Sequence, residues 1–140
     1  MELHPLIDSP AVFIAHDTVN HCLYADWRGD YNQEVSRSTC RVLLALQRQL
    51  PCAKLLNDYS SMTRTTVQFT QWGEQWLADM QDAGLRCIAW VLPSNPLARQ
   101  ITEELVQAIA TPRVVVFQDV ASAHSWLRQQ VVPCGVSSNN

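Results

Sequence analysis

The spacing of apolar and polar positions changes several times along the chain, and each change marks an element. Ala11 to His16 reads as a strand, Asp17-Thr18-Val19-Asn20 as a turn, and Cys22 to Trp27 as a second strand. In the second strand Cys22, Tyr24 and Asp26 share one face, and Leu23, Ala25 and Trp27 the other. Two strands joined by a short polar turn form an antiparallel hairpin, which Gly29 closes. The ten residues before it carry Pro5 and Pro10 and read as a loose lead-in. From about Tyr31 to Leu50 the period becomes helical, with Val35, Thr39, Val42, Leu43, Leu46 and Leu50 as one buried stripe. Asp30 with Gln33 caps its start and Pro51 stops it.

Ala53 to Asn57 is then a brief strand, and Asp58 to Thr66, rich in Ser and Thr, reads as a loop. Thr65 with Gln68 offers a capping box for a second helix, ended by Gly84, whose stripe is Phe69, Trp72, Gly73, Trp76, Leu77 and Met80. Cys87 to Leu92 is an unbroken apolar run, as expected of a central parallel strand covered on both faces. Ser94 or Asn95 caps a third helix with Pro96 at its first position, and Pro112 ends it. Leu97, Ile101, Leu105, Ala108 and Ile109 line its inner face. Val114 to Phe117 is the last strand, and Asp119 caps a final helix bearing Ala123, Trp126, Leu127 and Gln130. Residues from Pro133 onward are small and polar and read as frayed.

The order is β-β-α-β-α-β-α-β-α. It predicts an α/β fold, a mostly parallel five-stranded sheet with flanking helices, the opening hairpin adding an antiparallel strand at or near an edge. No repeat or linker divides the chain, so the expectation is one domain over residues 1–140 with its core at about 11–131.

Composition narrows the function classes. A net charge of −3, with one lysine and scattered arginines, leaves no electrostatic footprint for nucleic acid. No apolar stretch approaches the roughly 20 residues of a membrane span, and the N-terminus does not read as a signal peptide. The five cysteines, Cys22, Cys40, Cys52, Cys87 and Cys134, are odd in number and include no C-x-x-C pair, so reduced thiols in a cytoplasmic protein are expected.

The element order is that of the STAS domain, the fold of bacterial anti-sigma-factor antagonists (SpoIIAA-like). The chain is also similar to small uncharacterised bacterial proteins described as STAS/Sec14-like. The resemblance runs from about Ala11 to Arg128 and rests on a succession of segments: Leu23-Tyr24-Ala25-Asp26-Trp27-Arg28-Gly29, Leu55-Leu56-Asn57-Asp58, Ala83-Gly84-Leu85-Arg86 before Ala89-Trp90-Val91, and Phe117-Gln118-Asp119 with Ala123 and Trp126-Leu127. It implies a protein-binding regulatory module. The antagonists carry a phosphorylatable serine in an Asp-Ser-Ser-Gly turn, whereas here the region reads Thr63-Arg64-Thr65-Thr66-Val67-Gln68, so that switch does not carry over.

Ligands of open parallel sheets lodge beyond the carboxyl ends of the strands, here Asn57-Asp58-Tyr59, Pro93-Ser94-Asn95 and Gln118-Asp119. Asp58 can act there as a general base or hold a ligand hydroxyl, or it can simply cap the loop. No histidine lies near these ends in sequence to complete a Ser-His-Asp arrangement. His16, His21 and Asp17 flank the first turn but lack a third firm metal ligand, and His124 reads as exposed. Gly29, Gly73, Gly84 and Gly135 are isolated, which excludes a phosphate loop; no metal and no cofactor is expected. Ser60, Ser61, Thr65 and Thr66 can accept phosphate near a helix N-terminus, or serve as loop and capping residues. Trp72 and Trp76, one helical turn apart, either pack on the sheet or wall an apolar pocket or dimer seam.

Three functions remain, in order. The first is a non-catalytic module that binds a protein partner, or itself as a homodimer, through the second helix and the Ser/Thr loop. The second is a binder of a small apolar or amphipathic, lipid-like ligand in a pocket walled by Trp72, Trp76 and Trp90. The third is an enzyme centred on Asp58. An enclosed cavity favours the second, and a filled core with an exposed apolar patch the first.

Overall fold

The computed structural model describes residues 1–131 of the chain. Its strands are β1 (Leu3–Asp8), β2 (Val12–Asp17), β3 (Cys22–Trp27), β4 (Gly29–Tyr31), β5 (Lys54–Asp58), β6 (Met62–Thr65), β7 (Cys87–Val91) and β8 (Arg113–Phe117). Its helices are α1 (Gln33–Gln49), α2 (Gln71–Asp82), α3 (Pro96–Gln107) and α4 (Val120–Gln129). Pro133 and the residues around it, read from sequence as frayed, lie outside the described residues, as does Cys134.

The hairpin forms as the alternation predicts, β2 and β3 pairing antiparallel from Val12↔Trp27 to Asp17↔Cys22. The Asp17 carboxylate closes the turn by accepting the N–H groups of Val19 (3.1 Å) and Asn20 (3.3 Å). The lead-in is not loose. It is β1, antiparallel to β2, and its register shifts between Pro5 and Ile7. That shift breaks the period-two pattern, and Pro5 has no N–H to give a ladder, which confines such a strand to an edge.

β3, β5, β7 and β8 pair in parallel, giving the order β1-β2-β3-β5-β7-β8. The α/β fold class stands, with six strands in a mixed sheet in place of five mostly parallel ones. One face carries Val12, Ile14, Leu23, Ala25, Trp27, Leu55, Ile88 and Trp90, packed against α1, α2 and Leu105, Val106 and Ile109 of the α3 region. The other carries Cys22, Leu56, Cys87, Ala89 and Val91 under Ala123 and Leu127 of α4.

The remaining differences have one cause. Gly29–Tyr31 and Met62–Thr65, read as helix lead-in and loop, pair with each other in parallel as β4 and β6. α1 therefore starts later, capped by Asn32, whose side chain accepts the Val35 N–H at 2.9 Å, and Asp30 instead pairs with Arg64 at 2.9 Å. α2 starts after Thr70, so the Thr65–Gln68 capping box does not form; Thr65 Oγ1 accepts the Val67 N–H instead (3.0 Å). The buried stripe of α1 is Ser36, Thr39, Cys40, Leu43 and Gln47, rotated from the expected one, and Val42 and Leu50 face outward.

Buried Gln47 fastens three elements. Its Nε2 donates to the carbonyls of Cys52 (2.7 Å) and Ala83 (3.2 Å), and its Oε1 accepts from the Cys52 N–H (3.2 Å).

Candidate functional site

Parallel pairing brings the ends of β3, β5 and β7 level, with Ala25↔Asn57 and Asn57↔Trp90 as partners. Side chains alternate between faces, so Trp27, Asn57 and Trp90 point to the α1–α2 side while Asp26 and Asp58 point to the other. This alternation separates the expected site residues into two groups.

On the α1–α2 side a chain of rings runs from Tyr31 through Trp27 and Tyr59 to Trp90, with centroids 5.4, 5.4 and 5.1 Å apart. Above it, Trp76 of α2 donates its indole N–H to the Cys40 carbonyl of α1 at 2.7 Å, tying the two helices together. Trp72, one turn earlier and half-buried, lies against two cations: the Arg37 and Arg41 guanidiniums stand 5.4 and 5.5 Å from its ring. Between these walls is a partly open cavity of about 60 Å³, lined among others by Trp27, Arg37, Tyr59, Trp72, Trp76 and Trp90. Its roof includes Val67, Gln68, Phe69 and Thr70, the segment joining β6 to α2. The Gln68 N–H donates to Gln33 Oε1 at 2.7 Å and holds that segment to the first turn of α1.

The polar groups of this cavity are not all satisfied. Trp27 Nε1 donates to Asn57 Oδ1 at 3.0 Å. The indole N–H of Trp90, a residue only 4% exposed, has no acceptor, and neither has the buried Nε–H of Arg37. A buried donor without a protein partner is uncommon, so two at one cavity mark a place where an acceptor, the oxygen of a water or of a ligand, belongs.

Asp58 lies on the opposite face and takes no part in the cavity. Tyr24 donates its hydroxyl to Asp58 Oδ2 at 2.6 Å, and the Ser60 N–H donates to Oδ1 at 2.9 Å. Burial, reinforced by the Asp58 hydrogen bond, pushes the Tyr24 hydroxyl well above its usual range. Both carboxylate oxygens of Asp58 are thus engaged. Beside it, Asp26 bonds Arg28 (3.3 Å), which also bonds Asp8 (2.9 Å) and lies over Phe13.

Ser60, Ser61 and Thr66 are exposed, while Thr65 is buried. None stands at the N-terminus of α2, which begins at Gln71, so the helix-terminus argument for phosphate does not apply to them. His124 is mostly buried rather than exposed, with Nε2 2.9 Å from Asn20 Nδ2 and 3.5 Å from Asp17 Oδ2. Burial and the N-terminal ammonium outweigh the attraction of Asp17 and hold His124 below its usual value. Burial alone would raise Asp17, but hydrogen bonds from Asn20, Glu2 and Val19 outweigh it and hold the carboxyl low. His16 stands across from Leu23 while His21 sits in the turn, so the two do not face each other. No group of three or more His, Cys, Asp or Glu among the described residues is placed to hold a metal.

Sequence reading found Trp72, Trp76 and Trp90 and placed Asn57 and Tyr59 at a strand end where ligands lodge, but it missed Trp27 and Arg37. Trp27 was within reach: level parallel strands and their alternation place it with Asn57 beside Trp90. Arg37 carried no signal, being one of several scattered arginines.

No family model matches the chain, and no curated protein matches it. Among solved structures it is similar to an uncharacterised protein of the DUF3478 family with a SpoIIAA-like fold from Shewanella loihica PV-4. The identity is 18% and the TM-score 0.54, covering 84% of this chain and 92% of that one. It is also similar to the anti-sigma factor antagonist SpoIIAA in its unphosphorylated form, at 9% identity and TM-score 0.50, covering 92% of this chain and 100% of that one. The chain therefore has the SpoIIAA-like fold that its element order implied. No helix among the described residues is long and apolar enough to cross a membrane.

Proposed function

We propose that this protein is a non-catalytic binding module of the cytoplasm, of one domain, which takes a small amphipathic ligand in the aromatic cavity between α1, α2 and the sheet. The observation that carries this reading is the indole N–H of Trp90, buried in the cavity wall with no acceptor. The cavity stands at the carboxyl ends of parallel strands, where such folds place ligands. Its about 60 Å³ accommodates roughly two to four waters, so a larger ligand enters only in part or displaces the 67–70 segment. An enzyme centred on Asp58 fits less well, because both carboxylate oxygens already accept hydrogen bonds. Native mass spectrometry of protein purified gently from a bacterial cytosol is the test. A stoichiometric adduct of small mass, lost in a variant with Trp90→Phe, is the expected result; a clean apo mass rules out a tightly held ligand.

A second reading has its own support. The segment from Ser60 to Gln71 presents exposed Ser60, Ser61, Thr63, Arg64, Thr66 and Gln68, and one neighbour in fold is described as an anti-sigma factor antagonist. On this reading a protein partner, or a second copy of the chain, contacts the outer side of the same segment that roofs the cavity. Substituting Ser61→Arg and Thr63→Glu together should then abolish partner or dimer formation, measured by light scattering and pull-down, without affecting ligand binding, since both are exposed and neither lines the cavity.

A further inference from the structure

The two unpartnered donors at the cavity are of different kinds, and together they select a ligand chemistry. Trp90 supplies a neutral N–H, and Arg37 a cation whose Nε–H is buried without an acceptor. Among the nine described arginines only Arg28 and Arg64 have carboxylate partners, and of the other seven only Arg37 has a buried Nε–H without an acceptor. A buried or half-buried guanidinium ordinarily finds a carboxylate or phosphate, whose paired oxygens match its fork of donors. Gln33, which lines the same cavity, gives its Oε1 to the Gln68 N–H and makes no bond with Arg37 Nε.

Shape adds a second constraint. The cavity, about 60 Å³, is well below the roughly 150 Å³ that holds a benzene ring. Val67, Gln68, Phe69 and Leu105 also line a wider neighbouring groove of about 510 Å³ with Ile101 and Ala108 on its wall. Its one charged lining residue, exposed Glu104, repels an anion. A head group therefore belongs in the cavity and an apolar chain in the groove.

We infer that the ligand is a carboxylate on a short unbranched apolar chain, its head accepting hydrogen bonds from Trp90 and Arg37 and its chain running along Val67 and Phe69 into the groove. This rests on the ligand-binding reading above and adds the charge and the orientation. The head contributes specificity, since a single uncharged hydroxyl accepts from these donors more weakly than a carboxylate and leaves the guanidinium charge unmatched. The chain contributes affinity through apolar area removed from water.

The test is isothermal titration of the full chain with hexanoate, 1-hexanol and hexylamine. Hexanoate should bind at least tenfold more tightly than 1-hexanol, and hexylamine should not bind. Arg37→Gln should cost hexanoate about tenfold and leave 1-hexanol unchanged, and Arg37→Lys should recover part of the loss. In a 15N spectrum of the five tryptophan indoles, the resonance that Trp90→Phe removes should move downfield with hexanoate. Equal binding of hexanoate and 1-hexanol, or no effect of Arg37→Gln in a variant with unchanged melting temperature, overturns the anion inference and leaves the ligand reading standing. Absence of binding by all three compounds overturns both.

Discussion

Trp90→Phe separates a binding site from ordinary core packing, because three buried tryptophans of this protein differ in whether the indole N–H finds an acceptor. Trp27 and Trp76 donate their indole N–H groups to Asn57 Oδ1 (3.0 Å) and the Cys40 carbonyl (2.7 Å), while Trp90 donates to nothing. Replacing any of them by Phe removes ring volume from a packed interior. By comparison with the about 3–5 kcal/mol of truncating Trp to Ala, that loss is about 2 kcal/mol. At Trp90 the substitution also removes a buried, unpaired donor, whose desolvation costs about 1–3 kcal/mol. The two contributions oppose each other, and the variant should lie within about 1 kcal/mol of the parent. At Trp27 both act in the same direction, since the substitution leaves Asn57 Oδ1 without its donor, and the cost should be about 3–5 kcal/mol. Trp76 falls between, because the Cys40 carbonyl sits inside α1 and keeps its helical N–H. Urea unfolding followed by far-UV circular dichroism measures all three. The gap of at least 2 kcal/mol between Trp90→Phe and Trp27→Phe corresponds to about 8 °C in melting temperature for a chain of this size. A Trp90→Phe variant as destabilised as Trp27→Phe would refute the reasoning, for it would mean that the Trp90 N–H has a partner in solution. A neutral or stabilised variant that binds ligand poorly is the signature of a site kept at the expense of stability.

Three other outcomes follow from named contacts. Gln47→Leu should cost about 3–5 kcal/mol in urea unfolding, because it strands the buried N–H and carbonyl of Cys52 together, and Gln47→Glu should bring no recovery, because its carboxylate accepts from the N–H but faces the Cys52 and Ala83 carbonyls without a donor. Stability should fall on acidification in two stages, seen by thermal melting against pH. His124 and Asp17 both have folded values below their usual 6.5 and 3.8, so the stability each contributes is present above that value and is lost as pH falls through the lower folded one. Substituting His124→Gln should flatten the first stage and leave the second. Finally, burial pushes Cys40 up to about 12 and Cys52 up to about 11, and raises Cys22 and Cys87. These four thiols should resist a disulfide reagent at pH 8 in the native protein and react at once in urea.

The strands β2, β3, β5, β7 and β8 and all four helices were legible in the chain because period and punctuation are local properties. Cys87–Val91 carries the unbroken apolar run of a buried strand, and Pro96 after Ser94 or Asn95 is a strong helix start that the structure resolves to Asn95, since neighbouring residues supply these signals. The pairing of Gly29–Tyr31 with Met62–Thr65 was not legible, because neither segment has a pattern of its own and each becomes a strand through the other. That pairing overrode two good capping signals, at Asp30 and Thr65, and moved the starts of α1 and α2. It also set the Val67–Thr70 segment over the sheet ends, which made a cavity of what periodicity described as core packing. The candidate site divides the same way. Large aromatic side chains at Trp72, Trp76 and Trp90 were visible as residues, but whether an indole N–H finds an acceptor depends on chains many residues apart. Sequence determined which groups need partners. Only the tertiary structure decided that Trp90 and Arg37 lack them, because burial removes water as the default partner and register fixes which acceptors come within reach.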